Sequence, residues 1–138
     1  MSALVPSTKS RPKYRNIHVG EILKYRLPPA GYVSIMHRIS GALLFLLLPL
    51  LLWLFDLSLI SEGSFARLRE VGGQWWVKLV LLVVIWALMH HLIAGIRYLL
   101  LDLHIGIDKE RSNTTAYWVY YISVPLTIVA ALRLFGAF

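Results

Sequence analysis

The sequence contains no cysteine. This chain therefore forms no disulfide, no thiolate metal site and no iron–sulfur cluster linkage of its own. It is also poor in acid: seven Asp and Glu stand against fourteen Lys and Arg, a net charge of +7. There is no apolar stretch near the start, because residues 1–26 are polar and basic. A secretory signal peptide, which needs an apolar region of about 7–15 residues there, is not expected. No internal repeat or low-complexity tract is present, and 138 residues allow one compact unit.

Long apolar runs are what the chain does have. Hydrophobic residues make up 58% of it, above the ~45–50% of ordinary soluble domains, and the excess is collected into three stretches. Seventeen residues without formal charge separate Arg38 from Asp56, within a span read as 31–57. A second span covers 76–103. A third covers 115–137, with no formal charge from Ser112 to Leu132. Each meets the ~20 residues needed to cross a bilayer core. Three spans cannot close a β-barrel, so the expected fold is an all-α membrane protein with three transmembrane helices. Pro49 and Pro125 fall inside spans, where neighbouring helices can satisfy the freed carbonyls, and local kinks are expected there. Trp75, Trp76, Tyr117, Trp118, Tyr120 and Tyr121 lie near span ends, as aromatic belts do.

The positive charge has an asymmetry that reads as membrane topology rather than nucleic-acid binding. With the N-terminus inside, the inner side holds ten of the fourteen basic residues: Lys9, Arg11, Lys13, Arg15, Lys24, Arg26, Arg38, Arg97, Lys109 and Arg111. The outer side holds Arg67, Arg69, Lys78 and Arg133. The expected arrangement is N-terminus inside and C-terminus outside. Residues 1–30 form a basic N-terminal arm, with room for a short interfacial helix in 17–29 before Pro28 and Pro29, and 31–138 form the membrane anchor. Residues 58–74 and 104–114 read as loops.

Ionisable residues inside a span are costly and usually face a protein interior. Ser34, His37, Arg38 and Gly41 recur at helical spacing, as do His91, Gly95, Tyr98 and Asp102, so each set forms a stripe. A histidine near mid-membrane with a glycine one turn on suits an axial haem ligand, since neutral imidazole binds iron and glycine leaves room for a porphyrin. Arg and His nearer the surface suit propionates. Ser and Arg one turn apart suit a quinone: hydroxyl donates to a carbonyl oxygen, and guanidinium favours the charge that develops on reduction. Against these stand plainer roles. Ser34 and Tyr98 can be packing residues, Arg38 and Arg97 can snorkel, Asp102 can be an interfacial charge, and His90 lies off the glycine stripe and reads as a helix-packing residue. The four-residue spacing to Gly95 favours His91 over His90 as the ligand.

Taken together, Arg11-Pro12, SIMHRISG at 34–41 and HLIAGIRYLLLD at 91–102 resemble the cytochrome b membrane-anchor subunits of succinate dehydrogenase, respiratory complex II. The resemblance extends to the number of spans and the basic N-terminus. It implies that His91 is the axial ligand of a haem b shared with a second anchor subunit, that His37 lies near the haem propionates, and that Ser34 and Arg38 belong to the ubiquinone site. It implies flavoprotein and iron–sulfur partner subunits on the inner face, and a place in a bacterial cytoplasmic or mitochondrial inner membrane. Where the family often has histidine after the motif arginine, this chain has Tyr98. The expected function is succinate:ubiquinone oxidoreduction as a non-flavin subunit. The alternatives are an anchor of a quinol:fumarate reductase, or a small structural or transport protein whose stripes only pack helices.

Overall fold

The computed structural model describes residues 18–136. Five helices follow one another: α1 Val19–Lys24, α2 Pro29–Ile60, α3 Glu62–Gly73, α4 Trp75–Asp102 and α5 Lys109–Leu134. Of these, α2, α4 and α5 are long and apolar enough to cross a membrane. At ~1.5 Å per residue, α2 with 32 residues and α4 with 28 exceed the ~30 Å hydrocarbon core. Of the basic arm read at 1–30, residues 1–17 lie outside the described residues, together with Arg11 and Pro12. Helix α1 falls inside the 17–29 stretch where a short helix is expected.

Helix boundaries follow local chemistry. Pro28 is the N-cap of α2 and Pro29 occupies its first turn, where a missing N–H costs nothing and a fixed φ fits the helix. Both α2 and α5 run through their internal prolines, Pro49 and Pro125. The 58–74 segment is not a loop. Ser61 ends α2 and caps α3: its Oγ accepts from Ser64 N–H at 3.1 Å, and its own N–H donates to Ser64 Oγ at 3.1 Å. This reciprocal box satisfies the orphan donors of the first turn and starts a 12-residue helix despite Gly63, Gly72 and Gly73. The last helix begins at Lys109, six residues before the apolar span read from the sequence. Its first turns are polar, so they extend the helix beyond the lipid-compatible stretch. Between α4 and α5 the chain turns through His104 at φ 61° and Gly106 at φ 77°.

The bundle is packed through small side chains. Ala87, Ala94, Ala116, Val33 and Val119 are buried, while most large apolar residues of the spans, such as Phe45, Leu46, Leu88 and Ile128, face outward. This is the pattern expected in lipid, where apolar side chains gain nothing by leaving the surface and small ones let backbones approach. The centre forms where Val33 of α2, Ala94 of α4, and Ala116 and Val119 of α5 meet.

Candidate functional site

Helix α4 carries two polar faces, one toward α2 and one toward α5. The α2 face is the stripe anticipated in the sequence, His91, Gly95 and Tyr98. Across from it stand His37, Ser40 and Gly41. The rings of His37 and His91 stack, with centroids 4.2 Å apart and planes 7° from parallel. The Tyr98 ring tilts against that of His37, 5.1 Å between centroids.

Each histidine sits over the other helix's glycine. A Cβ on Gly41 would lie 2.8 Å from His91 Cε1, closer than real Cβ contacts come. A Cβ on Gly95 would meet His37 Nε2 at 3.6 Å, an ordinary contact. Gly41 is therefore the glycine that makes room for His91. Gly95, singled out by sequence spacing, lies opposite His37.

Hydrogen bonding fixes the His91 tautomer. Its Nδ1 lies 3.1 Å from the His37 carbonyl oxygen and 3.4 Å from Ser40 Oγ. Ser40 Oγ itself donates to the same carbonyl at 3.0 Å. A carbonyl only accepts, so Nδ1 carries a proton, which in the neutral imidazole leaves the lone pair on Nε2. Nε2 has no hydrogen-bond partner among the described residues. Ser40, almost completely buried, escaped sequence reasoning. Its signal was a small polar residue one turn beyond His37, otherwise read as packing.

The proposed quinone residues sit differently. Ser34 is half-buried and Arg38 exposed. Successive helical residues are ~100° apart, so Arg38 leaves the α2–α4 contact when His37 enters it. The Ser34–His37–Arg38–Gly41 stripe thus divides: His37 and Gly41 turn to α4, and Arg38 turns outward.

The second face of α4, Ala87–His90–Ala94–Arg97, is the fully buried one. His90 is completely enclosed, stacked on Trp86 at 5.5 Å and tilted against Tyr120 at 5.6 Å. Its ring approaches the Val33 backbone, but neither nitrogen forms a well-directed hydrogen bond. His90 thus lies where α4 meets both α5 and the Val33 backbone of α2. Arg97 is 6% exposed, so its guanidinium is held within the bundle. Its Nε donates to Thr115 Oγ1 at 3.1 Å, and its Nη2 to Ser112 O at 2.8 Å and Ser112 Oγ at 3.0 Å. The guanidinium also covers the Tyr98 ring at 5.4 Å. Asp102, at the end of α4, is exposed. No three His, Asp or Glu side chains come together as a chelating group among the described residues. A metal bound at His91 would thus need most of its donors from elsewhere.

Three helices long and apolar enough to cross a membrane, with paired histidines between the first two, define a small multi-pass membrane protein with a polar site inside its bundle. The sequence matches the family described as "Succinate dehydrogenase/Fumarate reductase transmembrane subunit" over residues 7–130. It is 34% identical over 113 residues to the succinate dehydrogenase cytochrome b556 subunit of Coxiella burnetii, covering 81% of this chain and 90% of that one. To the protein of the same name from Paracoccus denitrificans it is 33% identical over 111 residues, 80% of this chain and 85% of the relative. Reclinomonas americana has a cytochrome b560 subunit that is 28% identical over 112 residues, 77% of each chain. The chain belongs to the succinate dehydrogenase/fumarate reductase transmembrane subunit family, as a multi-pass membrane anchor of the succinate dehydrogenase cytochrome b kind.

Proposed function

We propose that this chain anchors a succinate:ubiquinone oxidoreductase, shares one haem b with a second anchor subunit, and contributes to the site where ubiquinone is reduced. The relatives named above are succinate dehydrogenase subunits, which favours that direction over quinol:fumarate reduction. The basic asymmetry of the sequence supports an N-terminus and an α4–α5 turn on the inner side, where flavoprotein and iron–sulfur subunits would dock.

The observation that carries the haem reading is the His91 hydrogen bond to the His37 carbonyl. Ligating imidazoles typically donate their other ring N–H to an oxygen, which fixes ring and tautomer. Nε2 of His91 would be the atom that holds the haem iron. Haem b bound there would supply a one-electron carrier. His37 has its Nε2 enclosed beside Gly95, so Nδ1 is the atom offered to a propionate.

Ser34 and Arg38 are one turn apart, with Arg38 exposed on this chain. Partner subunits would complete the quinone pocket around them. Ser34 would donate a hydrogen bond to one quinone oxygen, and Arg38 would stabilise negative charge developing during a two-electron, two-proton reduction. The test is a purified, intact complex assayed with succinate and either ubiquinone or an artificial dye, alongside its visible spectrum. The reading expects a low-spin b-type haem and ubiquinone-linked turnover. A complex with neither is a structural anchor only.

A further inference from the structure

The groove between α4 and α5 lies apart from the histidine pair. It is a cavity of about 210 Å³ lined by Ile96, Leu100, Trp118 and Ile122, with Arg97 and Thr115 at its polar end. The apolar lining is largely outward-facing: Ile96 is 47% exposed and Trp118 57%. Arg97 lies five residues before the end of α4, about 7 Å along the axis. That is the depth of the boundary between hydrocarbon and headgroups for a helix longer than the core.

The charge on Arg97 is solvated by neutral groups and matched by no acid. All seven carboxylate side chains of the sequence lie among the described residues, and the ion pair found there joins Arg111 to Asp108 at 3.8 Å, not Arg97 to anything. A guanidinium has five N–H donors. The hydrogen bonds to Thr115 and Ser112 use the one on Nε and the two on Nη2. The two on Nη1 have no partner among the described residues, and Nη1 is not among the enclosed unpartnered atoms there, so it reaches open space. A buried cation with two free donors, at the headgroup end of an apolar groove, calls for an anion carrying a long apolar tail.

The mouth of the groove is shaped for one. Gly106, at φ 77°, carries the α4–α5 turn across Thr115 and Arg111; a Cβ there would touch both at 3.9 Å. A second hollow, lined by Gly106, Arg111, Thr114 and Thr115, continues from the first toward the surface. Arg111 thus stands at the mouth and Arg97 inside it.

We propose that the α4–α5 groove binds an anionic glycerophospholipid, with its phosphate on Arg97 Nη1 and one acyl chain along Ile96, Leu100, Trp118 and Ile122. Phosphate accepts charge-assisted hydrogen bonds from guanidinium. Basic pockets between transmembrane helices are suited to anionic headgroups. The site is independent of the haem and quinone assignments, since Arg97 faces away from His91.

The test uses the whole co-purified complex, incubated in detergent with phosphatidylglycerol or with phosphatidylcholine and read by native mass spectrometry. The parent should retain phosphatidylglycerol about fivefold better than phosphatidylcholine, with no displacement by inorganic phosphate. Ile96→Trp fills the groove without touching Arg97, and should reduce phosphatidylglycerol retention about fivefold in a complex that still assembles and oxidises succinate with a dye. Arg97→Lys should retain more than Arg97→Gln. Parental retention by Ile96→Trp overturns the proposal. So does failure of Ile96→Trp to assemble, which would assign the groove to a partner subunit. Equal retention of the two lipids overturns it as well.

Discussion

His37 and His91 lie ring on ring, 4.2 Å between centroids, and the backbone carbonyl of the first accepts from Nδ1 of the second. One residue of α2 thus both packs against the proposed ligand and orients its ring. Direct side-chain truncation of His37 would remove the stack but leave the carbonyl, so the orienting hydrogen bond belongs to the α2 backbone.

The two glycines of the pair should behave differently. Gly41→Ala places a methyl 2.8 Å from His91 Cε1, which must move. Overpacking of this kind costs about 1–3 kcal/mol, so the b-haem absorbance of the purified complex should fall several-fold or shift. Gly95→Ala meets His37 Nε2 at 3.6 Å and should leave the spectrum near the parent's. The reverse ranking would make Gly95 the more sensitive position, as expected if it leaves room for the cofactor.

Quinone chemistry should separate from assembly at the exposed end of the same stripe. Ser34→Ala and Arg38→Ala should lower ubiquinone reduction about tenfold or more while dye-linked succinate oxidation holds, since each removes a polar contact to a developing charge. Equal loss of both activities would assign these residues to assembly.

Thr115 should matter through Arg97. Thr115→Val removes the Nε hydrogen bond at 3.1 Å and keeps the shape. Interhelical hydrogen bonds in membranes average about 0.6 and reach about 1.7 kcal/mol. Thermal inactivation of the solubilised complex should occur at slightly lower temperature, with haem spectrum unchanged. No shift would mean that Ser112 alone holds Arg97.

Ser61→Ala should loosen α3 without reaching the site. Losing its side-chain bond to Ser64 N–H costs about 1 kcal/mol at an N-cap. Hydrogen exchange should accelerate at the 63–65 amides, with both activities retained. Unchanged exchange would show that contacts with α2 and α4, not the cap, hold this helix.

The spans were legible because length and charge-free composition suffice to recognise a lipid-crossing helix. Helix α3 was hidden by three glycines and scattered charge, and its start depends on Ser64 acting where a capping box usually has Glu or Gln. The six extra residues of α5 were hidden because hydropathy marks the lipid boundary, not the helix end. Periodicity placed Ser34, His37, Arg38 and Gly41 within one broad stripe, but it carries no information on where the neighbouring helix lies. The contact runs along His37 and Gly41 and leaves Arg38 outside. In the same way, His90 and His91 are adjacent in sequence, yet His90 packs against Trp86 and Tyr120 while His91 stacks on His37. The fully buried face of α4 was overlooked because Ala87 and Ala94 look unremarkable in an apolar helix.

That division between neighbours gives the most direct test of the proposed haem ligand. The reduced-minus-oxidised spectra of the purified complex should be compared for His91→Ala and His90→Ala. His91→Ala should lose or shift the b-type signal. His90→Ala, which opens a cavity against Trp86 and Tyr120 but removes no well-formed hydrogen bond, should keep it. A parental spectrum in His91→Ala, or loss of the signal only in His90→Ala, would contradict the account.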